Sequence, residues 1–169
     1  KVGDDFGVVA LGKLGGEELN FASDLDLIFL YREPVVQGEL APSEFFSRWA
    51  ARISTFLSES TPFGRLYECD PRLRPHGKSG ALSTSLETFE RYVRHEAQVW
   101  ERMALSRCRP VVACEEWRDR FRQVWREALF SREFTESDRQ EVVEMRLRIE
   151  REKREATLKA GPGGLVDVE

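Results

Sequence analysis

Cysteine and histidine are scarce in this sequence, with three of the first and two of the second among 169 residues. Cys69, Cys108 and Cys114 show no Cys-x-x-Cys spacing, and only His76 and His95 could join them as ligands. The sequence therefore does not predict a structural zinc site. Free thiols are typical of a reducing compartment, so we expect a cytoplasmic protein.

Long apolar runs and a strong excess of one charge are also missing. No run approaches the roughly 18 apolar residues of a transmembrane helix, and no segment of the signal-peptide type opens the chain. The net charge is −4 and the isoelectric point is near 5.5. We therefore expect neither a membrane nor a nucleic acid as a partner. Because the sequence begins at Lys1 and stops at Glu169 inside an apparent motif, we expect a piece of a longer polypeptide.

Two short apolar segments near the N-terminus predict buried strands. The first covers residues 6–11 and is followed by a glycine-rich turn at residues 12–16. The second covers residues 24–31, and its alternating side chains predict one face with Leu25, Leu27 and Phe29 and another with Asp26, Ile28 and Leu30. Residues 65–70 predict a third strand, which Pro71 ends.

Apolar residues three and four apart predict helices over most of the remaining sequence. One helix follows an N-cap at Ser43, an apolar stripe runs from Leu86 to Met103, another covers residues 117–129, and a charged helix covers residues 138–158. The order predicts an α+β fold, in which a helical region follows a small mixed β-sheet. We expect a catalytic core at residues 1–110 and a helical region, cut at its C-terminal end, at residues 111–169.

Two aspartates begin the second predicted strand, although aspartate is depleted in strands. Residues two apart share a strand face, so Asp24 and Asp26 project together, about 7 Å apart along the backbone. Their repulsion raises at least one pKa unless a cation neutralises it. Mg²⁺ accepts a few carboxylates together with phosphate oxygens. An isolated Asp-x-Asp is a weak signal, since a solvated strand end has the same pattern.

The surroundings of the aspartate pair strengthen the metal hypothesis. Gly15 and Gly16 precede it after a strand, and backbone N–H groups of a glycine turn can hold a triphosphate because no side chain blocks the approach. Asp70 ends a later predicted strand, with Glu68 as the fallback ligand on the same face. This order of parts is the pattern of the DNA polymerase β-type nucleotidyltransferases.

Two arginines follow the third aspartate. Arg72 and Arg74 flank Leu73, so in an extended segment both guanidinium groups would face one way and could bind phosphate oxygens. An Arg-x-Arg by itself is more often a surface feature. Its position next to a proposed metal ligand favours the phosphate-binding interpretation.

Several blocks resemble the glutamine synthetase adenylyltransferase/adenylyl-removing family. They are Gly12–Leu19 (GKLGGEEL), Ser23–Leu27 (SDLDL), Asp70–Pro75 (DPRLRP), Trp100–Leu105 (WERMAL) and the closing residues 158–169. Together they span nearly the whole sequence. The GKLGG block joined to Ser-Asp-x-Asp is far more specific than Asp-x-Asp alone.

The resemblance implies a polymerase β-like fold, ATP as substrate and two Mg²⁺ ions, with Mn²⁺ as an alternative. By position, Asp24, Asp26 and Asp70 would hold the metals, and Asp70 would also help activate the incoming hydroxyl. The triphosphate would be lined by Gly15, Gly16 and Ser23, and its charge neutralised by Arg72 and Arg74. The resemblance also implies glutamine synthetase as the protein substrate and a nitrogen-signalling regulatory protein as a further partner.

The family has two halves with opposite activities. One transfers AMP from ATP to a tyrosine hydroxyl of glutamine synthetase, and the other removes it with inorganic phosphate. Pro162–Asp167 (PGGLVD) and Ser85–Tyr92 resemble the adenylylating half, whereas Asn20 and Gly77–Gly80 (GKSG) resemble the removing half. We favour the adenylyltransferase, with phosphorolysis and a catalytically silent docking module as alternatives.

Overall fold

Two antiparallel strands form the centre of the structure. The computed structural model describes residues 2–21, 23–32, 40–152, 161 and 163–164, which fall into one unit at residues 1–132 and another at 133–169. In the first unit, β1 (Phe6–Ala10) is buried along its whole length and pairs with β2 (Leu25–Tyr31), so that Ala10 opposes Leu27. Strands that are buried on both faces have nearly continuous apolar sequences, which explains why both were predicted.

Five strands form the mixed sheet, in the order β5–β2–β1–β7. The outer members are β5 (Cys69–Asp70), parallel to the start of β2, and β7 (Arg109–Val112), antiparallel to β1. A further short strand, β6 (Ser83–Ser85), pairs in parallel with the end of β2. Between β2 and β5 the chain makes a separate hairpin from β3 (Ser60–Thr61) and β4 (Gly64–Arg65).

Helices cover both faces of the sheet. One face packs against α2 (Pro42–Ser58), whose Phe46 stacks on Phe6 with ring centroids 5.5 Å apart. The other packs against α3 (Leu86–His95), α4 (Val99–Ser106) and α5 (Glu115–Leu129), with fully buried Trp117 at its centre. The alternation predicted for the second strand is confirmed, because Leu27 lies in the first cluster and Ile28 in the second.

Helix ends account for two differences from the predictions. Helix α2 begins after Ala41 with Pro42 in its first turn, not after Ser43, because proline has no N–H to contribute and its φ already suits that position. The predicted stripe from Leu86 to Met103 is two helices, since Gln98 and Glu101 form a capping box that starts α4.

The glycine-rich turn also differs from expectation, whereas the domain boundary stays a prediction. Gly12–Gly15 forms one helical turn, α1, where the sequence predicts an irregular turn, and Glu17 after it has a positive φ of 62°. The boundary expected after residue 110 falls inside β7, which pairs with β1. Because β7 and α5 pack with the sheet, the first unit continues to Arg132.

The second unit contains α6 (Glu136–Glu152), which begins two residues before the predicted start at Asp138. Thr135 and Asp138 stabilise its first turn reciprocally, because Thr135 N donates to Asp138 Oδ2 at 2.7 Å and Asp138 N donates to Thr135 Oγ1 at 3.2 Å. Residues 153–160, Pro162 and residues 165–169 of the closing motif lie outside the described residues. Among the helices described, none combines the length and apolar character needed to cross a bilayer.

Candidate active site

Asp26 and Asp70 are register partners in neighbouring parallel strands. The pairing of β2 with β5 sets Leu25 opposite Cys69 and Asp26 opposite Asp70, and Leu25 N donates to Glu68 O at 2.8 Å. Adjacent strands lie about 4.8 Å apart, and paired residues project from the same face. The two carboxylates therefore leave the sheet side by side, on the face covered by α3 and α5.

Asp24 lies one residue before the strand and is exposed, whereas Asp26 is half-buried. Both are close enough to Arg72 to act on it electrostatically. The pKa of Arg72 is raised mainly by its hydrogen bonds to Asp70, and the negative charges of Asp26 and Asp24 raise it further. One guanidinium group is thus a neighbour of all three predicted metal ligands.

Arg72 holds the carboxylate of Asp70 in two ways. Its backbone N–H donates to Oδ1 at 2.9 Å, while its Nε lies 2.8 Å from Oδ1 and 2.7 Å from Oδ2. Its Nη2 also donates to Oδ2. These bonds lower the pKa of Asp70, against an opposing effect of burial, and Lys78 adds a smaller electrostatic contribution. Asp70 is therefore ionised at neutral pH.

Gly12 makes room for the carboxylate of Asp26. A Cβ on Gly12 would lie 2.5 Å from Asp26 Oδ2, and the residue has a φ of +52°, which side chains other than glycine rarely adopt. Leu11 N also donates to Asp26 O at 2.9 Å, which fixes the backbone on both sides of this contact. Sequence reasoning missed Gly12 as a site residue, although it opens the GKLGG block.

Gly15 and Gly16 lie at the other end of α1. Their N–H groups donate within the helical turn, to Leu11 O at 2.9 Å and to Gly12 O at 3.0 Å. A Cβ on Gly15 would lie 2.1 Å from the carbonyl oxygen of Arg107, and one on Gly16 would meet the Arg107 guanidinium. Close packing thus explains Gly15, and binding of phosphate by these two glycines stays a prediction.

Ser23 is buried in the loop that precedes the aspartates. Its hydroxyl donates to Asn20 Oδ1 at 2.8 Å and accepts from Asn20 N at 3.2 Å and from Lys13 Nζ at 3.5 Å. These bonds hold the loop in front of Asp24 and bring one cation, Lys13, beside it. Lys13 was also missed as a candidate, and its place directly after Gly12 was the available signal.

Arg74 and Glu68 contact groups other than the three aspartates. The segment after Asp70 forms a turn instead of extending, and Arg74 donates to three carbonyl oxygens of its own loop: Pro71 at 2.7 Å, Gly80 at 3.2 Å and Lys78 at 3.3 Å. Glu68 is exposed and pairs with Arg65 at 3.4 Å. The structure thus places Arg72 with the aspartates and uses Arg74 to shape the loop.

The donor atoms suit a hard divalent cation, although they do not form a ligand cluster. Within the described ranges, no three histidine, cysteine, aspartate or glutamate side chains are grouped so that they could hold a metal ion. Asp70 is turned towards Arg72 instead. Carboxylate oxygens on paired strands are the ligand type that Mg²⁺ takes, so the chemistry of Asp26 and Asp70 fits the ion.

Comparison with known proteins identifies the family. Residues 1–124 match the family described as glutamate-ammonia ligase adenylyltransferase. The chain belongs to this family. The α+β fold agrees with that membership, and the resemblance found in the sequence motifs is confirmed.

Curated relatives match over nearly the whole chain. A bifunctional glutamine synthetase adenylyltransferase/adenylyl-removing enzyme of Thioalkalivibrio sulfidiphilus is 41% identical over 97% of the chain, and one of Xanthomonas axonopodis pv. citri is 41% identical over 99%. One of Neisseria meningitidis serogroup B is 39% identical over 97%. The chain spans only 18% to 19% of the length of these three proteins.

Proposed function

We propose that the chain transfers AMP from ATP to a tyrosine hydroxyl of glutamine synthetase, in a metal-dependent reaction that regulates nitrogen assimilation in the cytoplasm. The observation that carries this proposal is the register of Asp26 with Asp70, which presents two carboxylates side by side where Gly12 leaves space. The names of the relatives support the substrate. A nitrogen-signalling regulatory protein is a further expected partner.

The reaction forms one P–O bond and breaks another. The tyrosine oxygen attacks the α-phosphorus of ATP, the bond to the bridging oxygen of the β-phosphate breaks, pyrophosphate leaves and the hydroxyl proton is released to a base. Asp24, Asp26 and Asp70 would hold the divalent cations. Bound there, Mg²⁺ would neutralise the charge that develops on the attacking and leaving oxygens.

The low pKa of Asp70 suits a metal ligand better than a general base. A carboxylate that is ionised at neutral pH offers its lone pairs to a cation but accepts a proton weakly. For Asp70 to turn towards a cation, the guanidinium of Arg72 must move away. Arg72 would then be available for the phosphate oxygens of ATP, which guanidinium groups bind bidentately.

The remaining predicted nucleotide ligands are part of the same proposal. Ser23 lies directly before the aspartates, and Lys13 Nζ lies 3.5 Å from its hydroxyl, which supports a role for this loop in holding the phosphates. Gly16 borders a cavity rich in arginine. Gly15 and Arg74 would contribute by shaping the backbone around the phosphates.

Labelled AMP provides the direct test. The chain, glutamine synthetase, Mg²⁺ and ATP labelled at the α-phosphate should yield labelled glutamine synthetase. Asp26→Asn and Asp70→Asn should each lower this incorporation by about 100-fold or more, because each removes one charged ligand. Glu59→Gln, which neutralises an exposed carboxylate outside the site, should leave it unchanged. Full activity in a folded Asp26→Asn variant would overturn the proposal.

Phosphorolysis is the second candidate, because the relatives are named as bifunctional. In that reaction inorganic phosphate attacks the adenylyl group on tyrosine, the tyrosine oxygen leaves and ADP is formed. Asn20, which resembles the removing half, has a local role here as the partner of Ser23. Release of ADP from adenylylated glutamine synthetase and phosphate, without AMP incorporation, would favour this candidate.

A catalytically silent docking module is the third candidate. It predicts no heat of ATP binding by calorimetry in the presence of Mg²⁺, and it predicts that alanine is tolerated at all three aspartates. The presence of all three acids, which such a module does not require, favours an enzyme.

A further inference from the structure

A cavity of about 490 Å³ lies beside α1 in the first unit, apart from the aspartates. Four arginines line it: Arg107, Arg109, Arg118 and Arg122. Its described lining residues include no aspartate or glutamate. We call it the arginine pocket. Three of these guanidinium groups pair with exposed carboxylates, Arg107 with Glu18, Arg109 with Glu17 and Arg122 with Asp119, and solvent screens such pairs. Guanidinium groups match the geometry of phosphate oxygens, so the concave surface favours anions.

Two of the arginines are held in place by the α1 segment. Arg109 Nη2 donates to Leu14 O at 2.9 Å and its Nε donates to Gly15 O at 3.3 Å. The guanidinium of Arg107 lies against Gly16 and pairs with the exposed carboxylate of Glu18. Anchoring of this kind reduces the side-chain entropy that ligand binding would otherwise cost.

The other two arginines project from one stripe of α5. Arg118, Arg122 and Trp125 are spaced four and three residues apart, so their side chains share a helix face. Arg118 Nε donates to Ala113 O at 3.2 Å, and its terminal nitrogens have no partner among the residues that the structure describes. Arg122 pairs with exposed Asp119 at 2.7 Å, an interaction that solvent screens. Guanidinium N–H groups on the α5 side of the pocket therefore remain available to a ligand.

The arginine pocket lies at the same end of the sheet as the aspartates. Arg109 opposes Ala10, and Ala10 opposes Leu27, the residue after Asp26. Two strand spacings, about 10 Å, therefore separate the backbone of β7 from that of β2. The pocket and Asp26 also share the sheet face that α5 covers. One end of the sheet thus carries the aspartates and, about two strands away, the arginine pocket.

We propose that the arginine pocket binds the phosphate groups of a small phosphorylated molecule. Four guanidinium groups supply the charge, and the half-buried ring of Trp125 lies next to them for contact with the rest of the ligand. The proposal requires no aspartate. Two sources share this chemistry: the phosphates of the ATP used in the proposed reaction, or a separate phosphorylated effector. Only the first source rests on the proposed function.

Calorimetry with inorganic tripolyphosphate tests the pocket directly, without metal and at low ionic strength. The wild-type chain should bind it, and added NaCl should weaken binding because the charges are partly exposed. Arg118→Gln combined with Arg122→Gln should raise the Kd by about tenfold or more, because hydrogen bonds to charged groups are strong. Arg120→Gln combined with Arg126→Gln is the matched control, with the same change of charge on the same helix outside the pocket.

The outcomes separate the pocket from the aspartate site. Absence of tripolyphosphate binding, or an equal loss in the control pair, would overturn the proposal, provided that circular dichroism shows all variants folded. Asp26→Asn should keep the binding, so failure of the proposed function does not remove it. Competition between ATP and tripolyphosphate would identify the nucleotide as the source, and simultaneous binding of both would identify a separate effector.

Discussion

Arg72 donates to the carboxylate of Asp70 through both its backbone N–H and its guanidinium. The two residues are separated by Pro71 alone, so the ion pair closes the turn that follows β5. Asp26 lies beside Asp70 in register, and its charge also acts on Arg72. In this structure the guanidinium group supplies a positive charge that acts on Asp70, Asp26 and Asp24.

Arg72→Gln should raise the pKa of Asp70 towards its ordinary value, because the hydrogen bonds that lower it are lost. Carbon-13 NMR titration of the aspartate carboxyls measures this shift. Because folding lowers the pKa of Asp70, the ion pair stabilises the folded wild type at any pH above the pKa that Asp70 has in the unfolded chain. This stabilisation is lost when Asp70 becomes protonated, as the pH falls below about 4. The melting temperatures of wild type and variant should therefore differ at pH 7 and converge in acid.

Arg91→Gln is the control for that titration. It removes one exposed arginine from α3, whose guanidinium group donates to Thr88 Oγ1 of the same helix at 3.3 Å. Its Asp70 titration should match that of the wild type. An unchanged pKa of Asp70 in Arg72→Gln would show that the ion pair does not persist in solution.

Gly12→Ala should damage both stability and activity. Alanine at a φ of +52° costs about 1–2 kcal/mol, and its Cβ would lie 2.5 Å from Asp26 Oδ2. Urea denaturation measures the first effect, and AMP incorporation per folded molecule measures the second. Gly3→Ala is the control, because a Cβ there would meet nothing within 4 Å. If Gly12→Ala and Gly3→Ala show the same stability and the same activity, Gly12 is not a residue of the site.

The central strands and the proximity of the acids could be predicted from sequence because they depend on local patterns. A continuous apolar run and strict alternation indicate β1 and β2 without knowledge of their neighbours. In contrast, β7 (Arg109–Val112) contains Pro110 and has no alternation, so its strand conformation follows from pairing with β1. The single turn of α1 was also missed, because glycine-rich segments favour turns.

Side-chain partners were the least predictable part of the site. The spacing of Arg72 and Arg74 indicates a shared direction only if the segment is extended. The turn after Asp70 sends the two guanidinium groups to different acceptors, one to a carboxylate and one to carbonyl oxygens. The arginine pocket was not predicted for a similar reason, because the fold brings α5 and residues 106–110 together with Gly15 and Gly16, which are far away in the sequence.

Gly15 and Gly16 should respond differently to alanine. A Cβ on Gly15 would lie 2.1 Å from Arg107 O and 2.8 Å from Ala10 O, and these backbone atoms, at the C-cap of α4 and in β1, cannot move aside easily. Gly15→Ala should therefore destabilise the fold by about 1–3 kcal/mol. A Cβ on Gly16 would meet the end of the Arg107 side chain, which can rotate away. Chemical denaturation should show a clearly smaller loss for Gly16→Ala, and a larger one would contradict this packing.

Arg74→Lys separates a structural role from a charge role. The planar guanidinium reaches three carbonyl oxygens, on Pro71, Lys78 and Gly80, and an ammonium group cannot bond all three in that geometry. If Arg74 shapes the loop, lysine should speed amide hydrogen exchange at Gly77 and Gly80, whose N–H groups donate within the loop. If Arg74 instead supplies only charge to phosphate, Arg74→Lys should keep both the slow exchange and the activity, whereas Arg74→Gln should lose activity alone.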